Sequence, residues 1–283
     1  MSKTDNAVLE SQVKGERLVA LASGFSDIAQ PLERLMASTK PAVYQNGTRQ
    51  AAAMVQIGIT SHHLPTAAPL IASFYATLQS QSGPRQVFVI VGPDHLERCD
   101  QYASTTELPY QTPFGLLPVD QAITEDLIKA GVNIDNNCFE GEHAIGTQAI
   151  FIKRDFPEAL IVPLLLSSAT NNAIIEKIVG VLKNYSEEIT VIGSIDFSHA
   201  LNYEQALRVD SESDKMIAGL ESLSLTLFHT DSPPTVSLLV GLAKVLGSAK
   251  ADIFQRANSF DFNGQKENTT GYRNIFFEGE SQL

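Results

Sequence analysis

Histidine and carboxylate residues recur at a few points of this chain. His62 and His63 stand in Thr60-Ser61-His62-His63, and His95 closes Gly92-Pro93-Asp94-His95. Glu142 and His143 are adjacent, and Asp196 and His199 share Ser194-Ile195-Asp196-Phe197-Ser198-His199. Imidazole nitrogens and carboxylate oxygens together suit first-row metals; two histidines and one carboxylate with open positions is the arrangement of non-haem iron oxygenases. Without a metal the same groups could do acid–base work, since histidine titrates near neutral pH. A lone histidine is more often a surface or core residue with satisfied hydrogen bonds. Repetition of the pattern is what argues for one shared polar site. The chain has no GxGxxG after a strand, no GxxxxGK[ST], no HExxH and no GxSxG.

The surrounding pattern says how such residues would be brought together. β-branched or apolar runs at 55–60, 86–92, 159–166 and 189–195 read as strands, and the nearly continuous QVFVIVG of 86–92 fits a strand covered on both faces. Helical spacing covers 67–81, where Leu70, Ile71, Phe74 and Leu78 share a face, and also 121–130, 144–156, 171–185, 203–222 and 235–246. Two more strands are expected near 253–257 and 271–277, and 104–118 reads as irregular. This β-α-β-α rhythm predicts an α/β fold: a single domain with a mostly parallel central sheet and helices on both faces. His62, His63, His95, Asp196 and His199 then all lie just past the carboxyl ends of strands, where open α/β sheets place ligands. Glu142 and His143 begin a helix on the same rim, whereas His229 lies between two helices. Residues 1–50 are expected as a helix (28–37) and a loop (40–49) packed on a domain of 51–283.

Composition narrows the function classes. With 20 basic and 32 acidic residues the net charge is −12, which disfavours nucleic-acid and anionic-membrane partners. No apolar run approaches the roughly 20 residues of a membrane-spanning helix. The apolar stretch at 18–25 is too short, and too close to Asp5, Glu10 and Glu16, to read as an export signal. Cys99 and Cys138 form neither a CxxC pair nor zinc-type spacing, so reduced thiols in a cytoplasmic protein are expected.

Taken in order, these segments resemble the Memo-like family, also called AmmeMemoRadiSam system protein B, which is similar to the catalytic subunit of class III extradiol dioxygenases. Thr60-Ser61-His62-His63 stands at the family's Pro-His-Ala-Gly, and Val91-Gly92-Pro93-Asp94-His95 at its Gly-Pro-Ser-His. Thr112-Pro113-Phe114-Gly115 with Pro118-Val119-Asp120 is similar to its TPxGxxxVD stretch. Glu142-His143-Ala144-Ile145-Gly146 and Ser194–His199 match two further segments, the first with glycine in place of a glutamate. The resemblance implies an extradiol-dioxygenase-like fold with His62 and His95 as metal ligands. It departs at the third ligand. Family members place a cysteine where this chain has Phe228-His229-Thr230-Asp231-Ser232-Pro233.

Three functions follow from the resemblance and the residues. The first is a metal-dependent, non-haem-iron-type redox enzyme. Asp231, or else His229, would replace the cysteine, His199 would act as acid/base oriented by Asp196, and His143 would stand nearby. Exchanging sulfur for oxygen favours Fe(II) or Mn(II) over copper or zinc. The second is a metal-free, non-catalytic module of the same fold that binds a peptide or small ligand. The third is a metal-free hydrolase or lyase using Asp196 and His199. Pathway protein partners are implied by the family's name alone.

Overall fold

The computed structural model describes residues 21–22, 57–80, 87–221, 229–262 and 264–279. In chain order its strands are β1 (Leu21–Ala22), β2 (Ile57–Thr60), β3 (Val87–Pro93), β4 (Ala103–Thr105), β5 (Tyr110–Thr112), β6 (Gly115–Leu117), β7 (Asn133–Ile134), β8 (Leu160–Leu166), β9 (Ile189–Ser194), β10 (Ser248–Asn258) and β11 (Gly271–Gly279). The helices are α1 (Ala68–Ser80), α2 (Gln121–Lys129), α3 (His143–Asp155), α4 (Asn172–Lys183), α5 (Tyr203–Ala218) and α6 (Pro233–Val245). None of them is long and apolar enough to cross a membrane.

Two apolar runs that are buried throughout take the centre of the sheet. Every residue of β3 and β9 is buried, and the strands pair in parallel with Val87 opposite Ile189 and Val91 opposite Gly193. β8 flanks β3 and β2 flanks β9, both in parallel, so the middle of the eight-stranded sheet is a four-strand parallel block. Antiparallel strands close both sides, β11 and β10 beyond β2 and β4 beyond β8. This is the mostly parallel α/β domain that the alternation of strands and helices predicts. One apolar cluster, with Ile71, Phe74, Ile145 and Phe151, packs α1 and α3 on one face. The other, with Ile178, Leu182, Val236 and Leu239, packs α4 and α6 on the opposite face.

Helix starts follow local chemistry. Asp120 and Asn171 cap α2 and α4 by accepting backbone N–H bonds, and Asn202 with Gln205 forms a capping box on α5. Pro233 and Pro234 open α6 itself, where a missing N–H costs nothing, so this helix begins two residues earlier than its periodicity suggests. Two glycines let helices approach the sheet closely. A Cβ on Gly92 would stand 2.8 Å from the Ala144 Cβ of α3, and one on Gly193 would stand 2.4 Å from Leu239 Cδ1 of α6.

Some expectations need correction. The stretch 104–118 is not simply irregular: it ends β4 and holds β5 and β6, which form a small sheet with β1. β10 is longer than expected and carries two register irregularities, as befits an edge strand. The cysteines are not free thiols, because Cys99 and Cys138 form a disulfide. The expected helix at 28–37 and loop at 40–49 lie outside the described residues.

Candidate metal centre

Five chain segments meet beyond the carboxyl ends of β2, β3 and β9. The segment after β2 brings Ser61, His62 and His63. The turn after β3 is shaped by Asp94, whose carboxylate accepts the backbone N–H groups of Arg98 (3.1 Å) and Cys99 (2.8 Å), and it presents His95. The start of α3 brings Glu142 and His143, and the segment after β9 brings Asp196 and His199. Asp231, just before α6, completes the set. Its N–H donates to the Asp196 carbonyl (3.1 Å), and the Asp196 N–H donates back to Asp231 Oδ2 (3.1 Å).

The two histidines of the expected metal pair are oriented from behind. His62 is 1% exposed, and its Nδ1 lies 3.1 Å from the Ser194 carbonyl, an acceptor that requires Nδ1 to carry the proton. Its Nε2 faces Asp231 Oδ2 at 3.1 Å and Asp196 Oδ2 at 3.8 Å. His95 is gripped twice by Glu142: the backbone N–H donates to Oε2 (2.9 Å) and Nδ1 lies 2.8 Å from Oε1. Its Nε2 then stands 3.5 Å from Asp231 Oδ2. Glu142 also caps α3, accepting the Ala144 N–H at 2.8 Å. Beneath them Gln148 donates to the Ser61 carbonyl and to Ser194 Oγ, both at 2.8 Å, and accepts from Tyr75.

Electrostatics follow from this crowding. Burial alone would lower the His62 imidazole, but the Asp196 and Asp231 carboxylates outweigh it and hold the group above its ordinary value. His95 is likewise opposed by burial, yet its bonds to Asp231 and Glu142 raise it to about 10. Asp231 pays burial in the other direction and is still held well below the usual carboxylate range by His62 and His95. His143 stacks on His95 (4.3 Å between centroids) and stands edge-on to His62 (4.9 Å). Burial, then the two neighbouring imidazolium charges, push it down to about 4.

The other expected residues fall at different distances. His199 is half-exposed, with Nε2 3.9 Å from Asp196 Oδ2, too far for a hydrogen bond. Asp196 instead accepts a short bond from Ser61 Oγ. His229 pairs with Glu212 (3.8 Å) on α5, and its N–H donates to Ser213 Oγ. His63 lies past β2 as expected, but its partner escapes the sequence patterns: Tyr272, from β11, places its hydroxyl 2.7 Å from His63 Nδ1. Nothing in the order of the chain announces that pair. Glu142 was visible as an acidic residue opening a helix, but its hold on His95 was not.

Two overlapping sets offer ligand atoms within 4.8 Å of one another: His62, His95 and His143, and His62, Asp196 and Asp231. The donor chemistry fits a divalent cation. Asp231 Oδ1 is buried without a hydrogen-bond partner among the described residues. The ion-pair partners of Glu142, Asp196 and Asp231 are all histidines among those residues, so no lysine or arginine neutralises the cluster.

The profile of the Memo-like protein family matches residues 26–276. A MEMO1 family protein of Pyrobaculum aerophilum is 29% identical over 222 residues, covering 74% of this chain and 78% of that protein. Another, from Methanopyrus kandleri, is 27% identical with the same coverage, and one from Saccharolobus solfataricus is 29% identical over 72% of this chain and 76% of its own length. The crystal structure of an uncharacterized Escherichia coli K12 protein shares the fold, with a TM-score of 0.53 and 14% identity over 79% of this chain and 99% of that one. Since the family profile spans every segment that builds the cluster, from β2 to β11, this chain belongs to the Memo-like family.

Proposed function

We propose that His62, His95 and Asp231 hold a divalent cation, Fe(II) ahead of copper or zinc, for redox chemistry of the extradiol-dioxygenase kind on a small molecule. One observation carries this reading. Both imidazoles are tied back at Nδ1, to the Ser194 carbonyl and to Glu142, so their Nε2 atoms converge on one Asp231 oxygen. Acceptors behind the far ring nitrogen are what fix the tautomer and basicity of metal-bound histidines. A redox-active ion bound there supplies oxygen activation that side chains lack.

The remaining residues bind, orient and move protons. His143, neutral at pH 7, accepts a proton from a hydroxyl brought to the cluster. His199 and His63 flank Asp196 at the mouth and hydrogen-bond the same ligand. The carboxylate-rich lining selects against phosphorylated or otherwise anionic ligands.

A second reading, a metal-free cleft for a peptide or small ligand, also has support. The raised His62 and His95 stand against the lowered Asp231 and Glu142, two cations facing two anions without any metal. Anaerobic Fe(II) loading followed by oxygen-uptake measurement with catechol as the probe separates the two. Uptake that requires both iron and catechol supports the enzyme; iron binding without uptake on any dihydroxy aromatic tried would leave the binding cleft. A cytoplasmic location belongs to the same proposal, and cell fractionation tests it.

A further inference from the structure

We infer that Cys99–Cys138 is a thiol–disulfide exchange site whose redox state sets how firmly Glu142 holds His95, an inference that stands apart from the metal proposal. The cross-link joins the two segments that carry this pair. Cys99 ends the turn that presents His95, four residues on (99 − 95), and Cys138 precedes Glu142 by the same interval (142 − 138). Apart from the His95–Glu142 bonds themselves, the direct polar link between the two segments among the described residues is Arg98 Nη1 donating to the Glu140 carbonyl, an exposed bond at 3.0 Å. Exposed polar links contribute little, so of the two direct links between the segments outside the pair the covalent bond is the stronger.

The site is open from one side. Cys138 is fully buried, whereas Cys99 is partly exposed and lines a cavity of about 400 Å³ together with Asp94, Glu97, Asp100, Tyr102 and Ser167. A thiolate entering this cavity meets Cys99. Its attack on Cys99 Sγ forms a mixed disulfide and releases Cys138 as thiolate, which takes up a proton. The second thiol of the same reductant, as thiolate, then attacks its own sulfur in the mixed disulfide and frees Cys99. Two electrons pass from the dithiol, which leaves as a cyclic disulfide, to the protein cystine. The freed Cys138 thiol has an acceptor in place, the Asp135 carbonyl 3.4 Å from Sγ. Three acidic side chains line the entrance, so a neutral dithiol is the preferred class of reductant over a carboxylate-bearing thiol such as glutathione.

Two backbone amides report directly on the Glu142 grip, because the N–H groups of His95 and Ala144 both donate to its carboxylate. The test is NMR-detected hydrogen exchange of these amides in chelator-treated protein, oxidised and after dithiothreitol, with intact mass following the cystine. Reduction should add about two mass units and speed exchange at His95 and Ala144 about tenfold or more, with the central amides of β3 and β9 unchanged. A Cys99→Ala/Cys138→Ala variant should match the reduced protein without any reductant. Glutathione at equal thiol concentration should reduce the cystine more slowly. Free thiols in air-oxidised protein, or complete reduction with unchanged exchange at both amides, would overturn the inference. Equal reduction rates for the two reagents would overturn the charge selection. Since no metal is involved, failure of the metal proposal leaves these outcomes untouched.

Discussion

Asp196 and Asp231 clasp each other through two backbone bonds, each residue's N–H donating to an oxygen of the other at 3.1 Å. The clasp ties the end of β9 to the start of α6, and it fixes Asp231 Oδ2 in front of both imidazoles. The third member of the cluster is therefore positioned by main chain as much as by its own side chain.

Removing the Asp231 charge should release His95. In Asp231→Asn the imidazole keeps Glu142 but loses one of the two carboxylates that raise it to about 10. Its titration midpoint should fall by on the order of one to three units, the usual influence of an adjacent opposite charge. NMR titration of the metal-free protein measures this, and an unmoved midpoint would show that Asp231 does not face His95 in solution.

Stability of the metal-free protein should be greatest near pH 6.5 as far as the histidines are concerned. A His95 raised in the fold stabilises fully below its unfolded value of 6.5, and that contribution disappears as pH rises towards about 10. A His143 lowered to about 4 acts oppositely: the unfolded chain takes up the proton first, so stability declines as pH falls from 6.5 to 4. Urea denaturation across this range should show both limbs. His95→Asn should flatten the alkaline limb and His143→Asn the acid one.

Gly193→Ala should destabilise the fold by about 1–3 kcal/mol, because its Cβ would stand 2.4 Å from Leu239 Cδ1 of α6. Combining it with Leu239→Ala should cost less than the two changes separately, as expected for neighbours that relieve one clash. Additive midpoints would place the strain elsewhere.

Gln148→Leu should be costly although it adds apolar surface. It leaves the Ser61 carbonyl, Ser194 Oγ and the Tyr75 hydroxyl short of a partner, at about 1–3 kcal/mol for each buried group left unsatisfied. Denaturant midpoints check this, and a change below about 1 kcal/mol would mean that the network rearranges.

The parts legible in the sequence were those written locally. The apolar runs of β3 and β9 announced the sheet centre, and strand ends announced His62, His95, Asp196 and His199. What pairs residues across the fold was not legible. Glu142 grips His95 from 47 residues away, and Tyr272 meets His63 from 209 away. Strands β4, β5 and β6 are three residues each, too short for alternation to show. The disulfide was hidden for the same reason, since its 39-residue separation matches no spacing rule. His199 was expected to be oriented by Asp196, but its Nε2 stops 3.9 Å from Oδ2, beyond hydrogen-bond reach.

Metal content is the most direct test of the proposed centre. Wild type, His95→Ala and Asp231→Ala should be loaded anaerobically with Fe(II), dialysed identically and analysed for iron per chain. The proposed centre predicts about one ion in the wild type and loss of most of it in both variants, as is usual when one of few ligands is removed. Full iron in Asp231→Ala, or none in the wild type, would contradict it.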